Sequence, residues 1–313
     1  TITSGTNVTA GTNSLYALTN AYAGNGGLIP EQTVLMTGNA QAHLTGANRL
    51  STLTFDNGGG GGIVLNAGGV LTLTGGIVAT STNATASAVI GSQSVGSSGN
   101  GVLDLNGAAA FSMDVGAVSV AGRDVAPLTA TLIVNSVIQN GGIAKSGSGL
   151  LQLGGQNAFT GGVNVAGGTV TLGNAGALGD SANTLDVAGT GTVDLNGRAV
   201  TVAGLAGSGA VTGAAGSAVT LGGSADTTFS GAIGGALALS KTGTGNQTLG
   251  GASTFTGGTT VTGGTLAVTD NAALGTGAVT INGGTVNLTT TTVTNSVTLV
   301  NGSLLGGTVD IAT

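Results

Sequence analysis

The chain has 313 residues, 64 of them Gly, with 40% hydrophobic, 5% charged and 2% aromatic residues, no Cys and a net charge of −6. Collagen needs Gly at every third position with abundant Pro, and disorder needs high charge with few apolar residues; two prolines and this apolar content exclude both. Five Lys and Arg against eleven Asp and Glu exclude a nucleic acid or an anionic membrane surface as partner, and the absence of Cys removes disulfides and thiolate metal sites.

Gly, Thr, Val and Asn are poor helix formers, and the apolar residues come in short runs between glycines, which is the vocabulary of strands and turns. Residues 1–50 are the least repetitive and hold Tyr16, Tyr22, Glu31 and His43. They are expected to form a cap or an interaction segment ahead of a continuous β-solenoid over residues 51–313, because solenoid ends expose strand edges. The five glycines from Gly58 to Gly62 form a loop rather than a linker, since strand-like runs resume at Ile63. Alternating runs then recur at Val70 to Thr74, Thr169 to Leu172, Thr192 to Leu195, Ala218 to Leu221 and Thr285 to Leu288. Each predicts a short strand with Val and Leu on the core face and Thr, Asp or Asn on the solvent face.

A shift of 96 residues superposes two stretches of the chain, at 143–179 and 239–275, without a gap. Lys145, Gly147, Gly149, Phe159, Gly161 and Gly162 fall on Lys241, Gly243, Gly245, Phe255, Gly257 and Gly258. Short strands at regular spacing suit either hairpin barrels and sandwiches or a solenoid; the long repeat selects the solenoid, in which each strand stacks on its equivalent one turn on. The expected fold is therefore all-β, a single right-handed parallel β-helix forming an elongated rod, with roughly 20–25 residues per turn.

The motif Lys145-Ser146-Gly147-Ser148-Gly149, followed by Asn157-Ala158-Phe159-Thr160-Gly161-Gly162 and Gly167-Gly168-Thr169-Val170, resembles the autotransporter-associated β-strand repeat of bacterial surface proteins. That resemblance implies a passenger-like solenoid on the bacterial outer surface or in the extracellular space. Those proteins end in a membrane β-barrel, which nothing in this chain resembles; a processed passenger, a fragment or a secreted protein without a barrel is expected, with no membrane insertion by this chain.

Candidate sites are sparse. The carboxylate pairs Asp104 with Asp114 and Asp186 with Asp194 are the nearest in sequence to a glycosidase arrangement, but no Trp accompanies them, so solvent-facing or turn-capping roles are expected and an enzyme is not. His43 stands alone, and surface or turn placement is expected for it. Gly306-Gly307-Thr308-Val309-Asp310 lacks the series of a calcium-binding repeat. Thr-x-Thr pairs such as Thr169 and Thr171 do not recur every turn, so an ice-binding Thr array is not expected. Lys145 and Lys241 are read as solvated or turn-stabilising, and Phe159 and Phe255 as buried beside their turns. No cofactor or metal is implied. The function expected is a structural one at a bacterial surface, as stalk, surface layer or self-assembling fibre subunit, with self-association end to end or laterally. The alternative is an adhesin that binds glycans or proteins through loops of the N-terminal third, near Tyr16, Tyr22 and Arg49.

Overall fold

A computed structural model describes residues 7–10, 33–44, 46–57, 60–65, 68–91, 101–125 and 129–309. Tyr16 and Tyr22 lie outside the described residues. The chain divides into two compact units, Thr1–Gly162 with Gly167–Gly179 and Val163–Ala166 with Asp180–Thr313. The described residues are all-β, without helix, and their strands stack in parallel as the coils of a β-solenoid.

In the first unit each coil is built from short strands separated by corners. The strand Gln41–Leu44 lies under Gly62–Leu65, Ala47–Leu50 under Val70–Leu73, and Val34–Thr37 under Leu53–Asn57. Coil length varies, because Leu132 pairs with Ala88 across a long excursion and with Leu151 only nineteen residues on. That excursion contains the one antiparallel pairing among the described residues, in which Val118 faces Val125 and Val120 faces Arg123. Ala121 and Gly122 turn this hairpin with φ of 52° and 74°, the positive values that match its turn to the twist of its strands.

The second unit is more regular. Ala199–Val202, Ala218–Leu221 and Ala238–Lys241 are followed by Thr259–Val261, Val279–Val293 and Val297–Val309, each in parallel register with the last. Successive partners such as Ala199, Ala218 and Ala238 are nineteen and twenty residues apart, at the short end of the roughly 20–25 expected from sequence. Alternation divides each coil cleanly. Val200, Val219 and Leu239 form an inward column at 3%, 1% and 1% exposure, which sums apolar burial over many coils without aromatics.

The outward side of the same strands carries a column of hydroxyl residues. Thr201, Thr220, Ser240, Thr260, Thr280 and Thr298 follow one another in register, so a hydroxyl residue does recur once per coil. It escaped the sequence reading because the column is one residue wide. Ala199, Ala218 and Ala238 occupy the adjacent outward column, so Thr-x-Thr pairs do not recur on every coil, as the sequence implies.

Candidate functional site

A polar concavity of the first unit grows from one outward column and the corner beside it. Register places Arg49, Thr72, Asp104 and Gln139 one above another on successive coils. After Asp104 the chain turns through Asn106 and Gly107 at φ 55° and 76°, and after Gln139 it turns through Asn140 at φ 56°. Asn tolerates this left-handed backbone better than other side chains, which is why it recurs at the corner.

Hydrogen bonds knit the coils. One Asp104 oxygen accepts from the Asn106 backbone N–H at 2.7 Å, and the other accepts from Gln139 Nε2 at 3.1 Å and Asn140 Nδ2 at 2.7 Å. Arg49 Nη1 donates to Asn106 Oδ1 at 3.1 Å. The result is an open groove of about 600 Å³, lined by Asp104, Asn140, Gly141, Thr160 and Gly161 together with Arg49 and Asn106. Arg49, Asn106 and Asn140 are exposed at its rim. Planar amides, a carboxylate and a guanidinium in a shallow open trough are equipped to hydrogen-bond a polar ligand.

The same turn sequence, Asp-Leu-Asn-Gly, stands at 104–107 and at 194–197, a signal that the sequence reading missed. At the second, Asn196 N–H donates to Asp194 Oδ1 at 2.9 Å and Asn196 has φ 48°. Asp180 and Asp270 cap turns in the same way, accepting from the backbone N–H two residues on at 2.7 and 2.8 Å. Asp186 accepts from Asn164 Nδ2 at 3.0 Å, and Asp114 accepts from Ser146 Oγ at 3.4 Å. The carboxylates are thus occupied with turns and neighbouring coils. His43 sits half-buried in Gln41–Leu44, in register with Val64. Among the described residues no three His, Cys, Asp or Glu gather as metal ligands.

The repeat residues occupy the interior and its corners. Lys145 continues the inward column of Ile77 and Met113, and Lys241 stands between Leu221 and Val261 in another. Both lysines are buried, at 0% and 2% exposure, so of the two roles expected for them, solvated or turn-stabilising, the structure selects the second. The Lys145 ammonium turns to the corner, donating to Ser146 O and Gly147 O at 2.7 Å and to Gly167 O of the following coil at 3.0 Å. Lys241 donates likewise to Gly243 O. Burial strips water from the Lys145 ammonium and lowers its pKa to about 8, with Asp114 partly opposing the shift. Burial lowers Lys241 too, partly opposed by Asp226.

The glycines around these lysines are required by crowding. A Cβ on Gly149 would run into Gly116 O, on Gly243 into Gly223 O, on Gly245 into Ala225 O, and on Gly257 into Leu237 O. Gly161 would meet Gly142 N at 2.7 Å, and Gly147, Gly162 and Gly258 have φ of 74°, 83° and 81°. Phe159 and Phe255 are fully buried. Two further interior residues are Asn157, which the repeat motif includes, and its counterpart Ser253, which the sequence did not single out. Asn157 Oδ1 accepts from Ile138 N at 2.9 Å while its Nδ2 donates to Ala177 O at 2.7 Å. Ser253 Oγ accepts from Ile233 N at 3.1 Å and donates to Gly251 O at 3.1 Å. Each substitutes for strand pairing at a corner where the ladder is interrupted.

The passenger-associated-transport-repeat matches residues 143–172 and 239–268, the stretches that carry these buried lysines, glycines and aromatics. Comparison with curated proteins and with solved structures finds no match.

Proposed function

We propose that this chain, an autotransporter passenger-like β-solenoid by its two repeats and its stacked parallel strands, serves as a structural component of a bacterial outer surface, as stalk, layer or fibre subunit, without catalytic activity. The observation that carries the reading is the register of the second unit. Six strands between Ala199 and Val309 stack one on the next in parallel, and their inward columns are mostly apolar, with Lys241 and Thr259 buried among them. Such a stack resists bending because every coil is hydrogen-bonded to its neighbours and packs on them. Immunogold labelling of intact cells tests it. Label on the outer surface, with loss of an ordered surface structure in a deletion strain, is the expected result; label confined inside the cell would overturn the reading.

One feature favours a second reading, an adhesin. The groove at Arg49, Asp104 and Asn140 offers polar groups to solvent in a geometry suited to hydroxyl-rich ligands. A glycan array separates the two, since an adhesin retains specific glycans and loses them with Arg49→Ala, whereas a purely structural subunit retains none.

A further inference from the structure

An Asn followed by Gly carries its own nucleophile, because a residue without a side chain lets its backbone nitrogen approach the preceding carboxamide. Among the described residues the pair stands at Asn106-Gly107, Asn140-Gly141, Asn196-Gly197, Asn282-Gly283 and Asn301-Gly302, with each Asn exposed. Packing holds three of the glycines in place. A Cβ on Gly141 would meet Ala108 O at 2.6 Å, on Gly283 Thr262 O at 2.9 Å, and on Gly302 Gly284 O, so these backbones lie against a neighbouring coil. The two Asp-Leu-Asn-Gly turns are left.

Their backbones match. Asn106 and Gly107 have φ of 55° and 76°, Asn196 and Gly197 of 48° and 75°, and in each turn the Asp carboxylate accepts the Asn N–H, at 2.7 and 2.9 Å. Two contacts separate them. Gly197 N–H donates to Ser217 Oγ at 3.0 Å, which occupies the nitrogen that would attack. At the other turn Arg49 Nη1 donates to Asn106 Oδ1 at 3.1 Å, drawing electron density from the carboxamide carbon. Gly107 falls where the register shifts between the Asp104–Gln139 and Ala108–Gly141 pairs, and an added Cβ there would meet nothing within 4 Å, so its backbone has room to move.

We propose that Asn106-Gly107 is a self-modification site, at which the chain closes a succinimide with Arg49 activating the carbonyl. The Gly107 nitrogen bonds to Asn106 Cγ and gives its proton to solvent. The Cγ–Nδ2 bond breaks, and the amide nitrogen takes a proton from water and leaves as ammonia, with no electrons exchanged. Water then opens the ring at either carbonyl, leaving aspartate or isoaspartate at position 106. The rim of the groove thereby exchanges a neutral amide, both donor and acceptor, for an acceptor-only carboxylate facing Arg49 in the same turn as Asp104. This step belongs to the groove itself and stands whether or not the chain is a structural subunit.

Peptide mapping by mass spectrometry tests it on the 313-residue chain warmed at mildly alkaline pH, following the loss of one ammonia and the later gain of one water at each Asn-Gly pair. Asn106 is expected to convert about tenfold or more faster than Asn196 in the folded chain. In urea the two are expected to convert at comparable rates, because the tetrapeptide is the same. Arg49→Met is expected to slow Asn106 by about tenfold, with Arg49→Lys recovering part of the rate. Asn196 in the same digest reports whether either variant has disturbed the chain at large. Ser217→Ala releases the Gly197 nitrogen and is expected to speed Asn196. Equal conversion of the two sites in the folded chain, a preference for Asn106 that persists in urea, or an Asn106 rate unchanged or raised by Arg49→Met would each overturn the proposal.

Discussion

The carboxamide of Gln247 pairs with the backbone of Leu205 as a strand would, its Oε1 accepting the Leu205 N–H at 3.0 Å and its Nε2 donating to Leu205 O at 2.8 Å. The strand between them, Thr227–Phe229, meets Gly204–Gly207 only at Gly207 and Phe229, which leaves the Leu205 backbone without a strand partner on that side. Gln247, 1% exposed, reaches across and also accepts from Thr227 Oγ1 at 2.7 Å.

Gln247→Leu keeps the bulk and removes the pairing, leaving a buried N–H and C=O unmade. The expected loss is about 2–4 kcal/mol, read as a lowered urea midpoint at unchanged slope. Gln247→Glu retains an acceptor for Leu205 N–H but aims an oxygen at Leu205 O, so it is expected to recover little.

Lys145→Met leaves Ser146 O, Gly147 O and Gly167 O without their donor and is expected to cost about 2–3 kcal/mol in chemical denaturation, despite the gain of an apolar side chain in the core.

The same lysine gives a pH signature. Its pKa in the folded chain is about 8 against 10.5 for the free side chain, so between these values the unfolded chain binds more protons than the folded one. Stability linked to Lys145 therefore rises as pH goes from about 8 to 10.5 and is flat below 8, where both states are charged. Lys241 adds in the same direction. Unfolding midpoints across that window are expected to rise in the parent relative to Lys145→Met; a Lys145 contribution that falls with pH would contradict the burial argument.

Two glycine substitutions separate crowding from chain entropy. Gly149→Ala drives a methyl into Gly116 O and is expected to cost more than about 3 kcal/mol or prevent folding. At Gly222 the nearest atom to an added Cβ is 3.6 Å away and the backbone is not left-handed, so Gly222→Ala is expected to be neutral or to stabilise by about 0.4–1 kcal/mol. Thermal melts of the two variants decide it.

Phe159 and Phe255 hold equivalent positions in the two repeats and are both 0% exposed. Each truncation to Ala is expected to cost about 3–5 kcal/mol, and equal losses from circular dichroism melts would show that both copies of the repeat are packed to the same standard.

Strand alternation at Thr169–Leu172 and Ala218–Leu221 was legible because periodicity of two is written directly in residue type, and glycine spacing told where the chain turns. The same pattern, with the 96-residue repeat, determined a parallel solenoid, since only stacked coils reward repetition at that scale. What sequence alone could not decide was which residues from distant coils share a column. Lys145 reads equally as a solvated or a turn-stabilising charge until Ile77 and Met113 are seen in line with it. Asp104 reads as one of a scattered few until Gln139, Asn140 and Arg49 close around its turn. Gln247 meets Leu205, 42 residues away, only because two turns of the chain bring it back over Leu205 with one strand between. Coil length sets that register, and it varies, being eighteen residues between Thr192 and Ala210 and forty-four between Ala88 and Leu132, so the neighbours that strip water from a lysine or pair a carboxylate are fixed by stacking rather than by local composition.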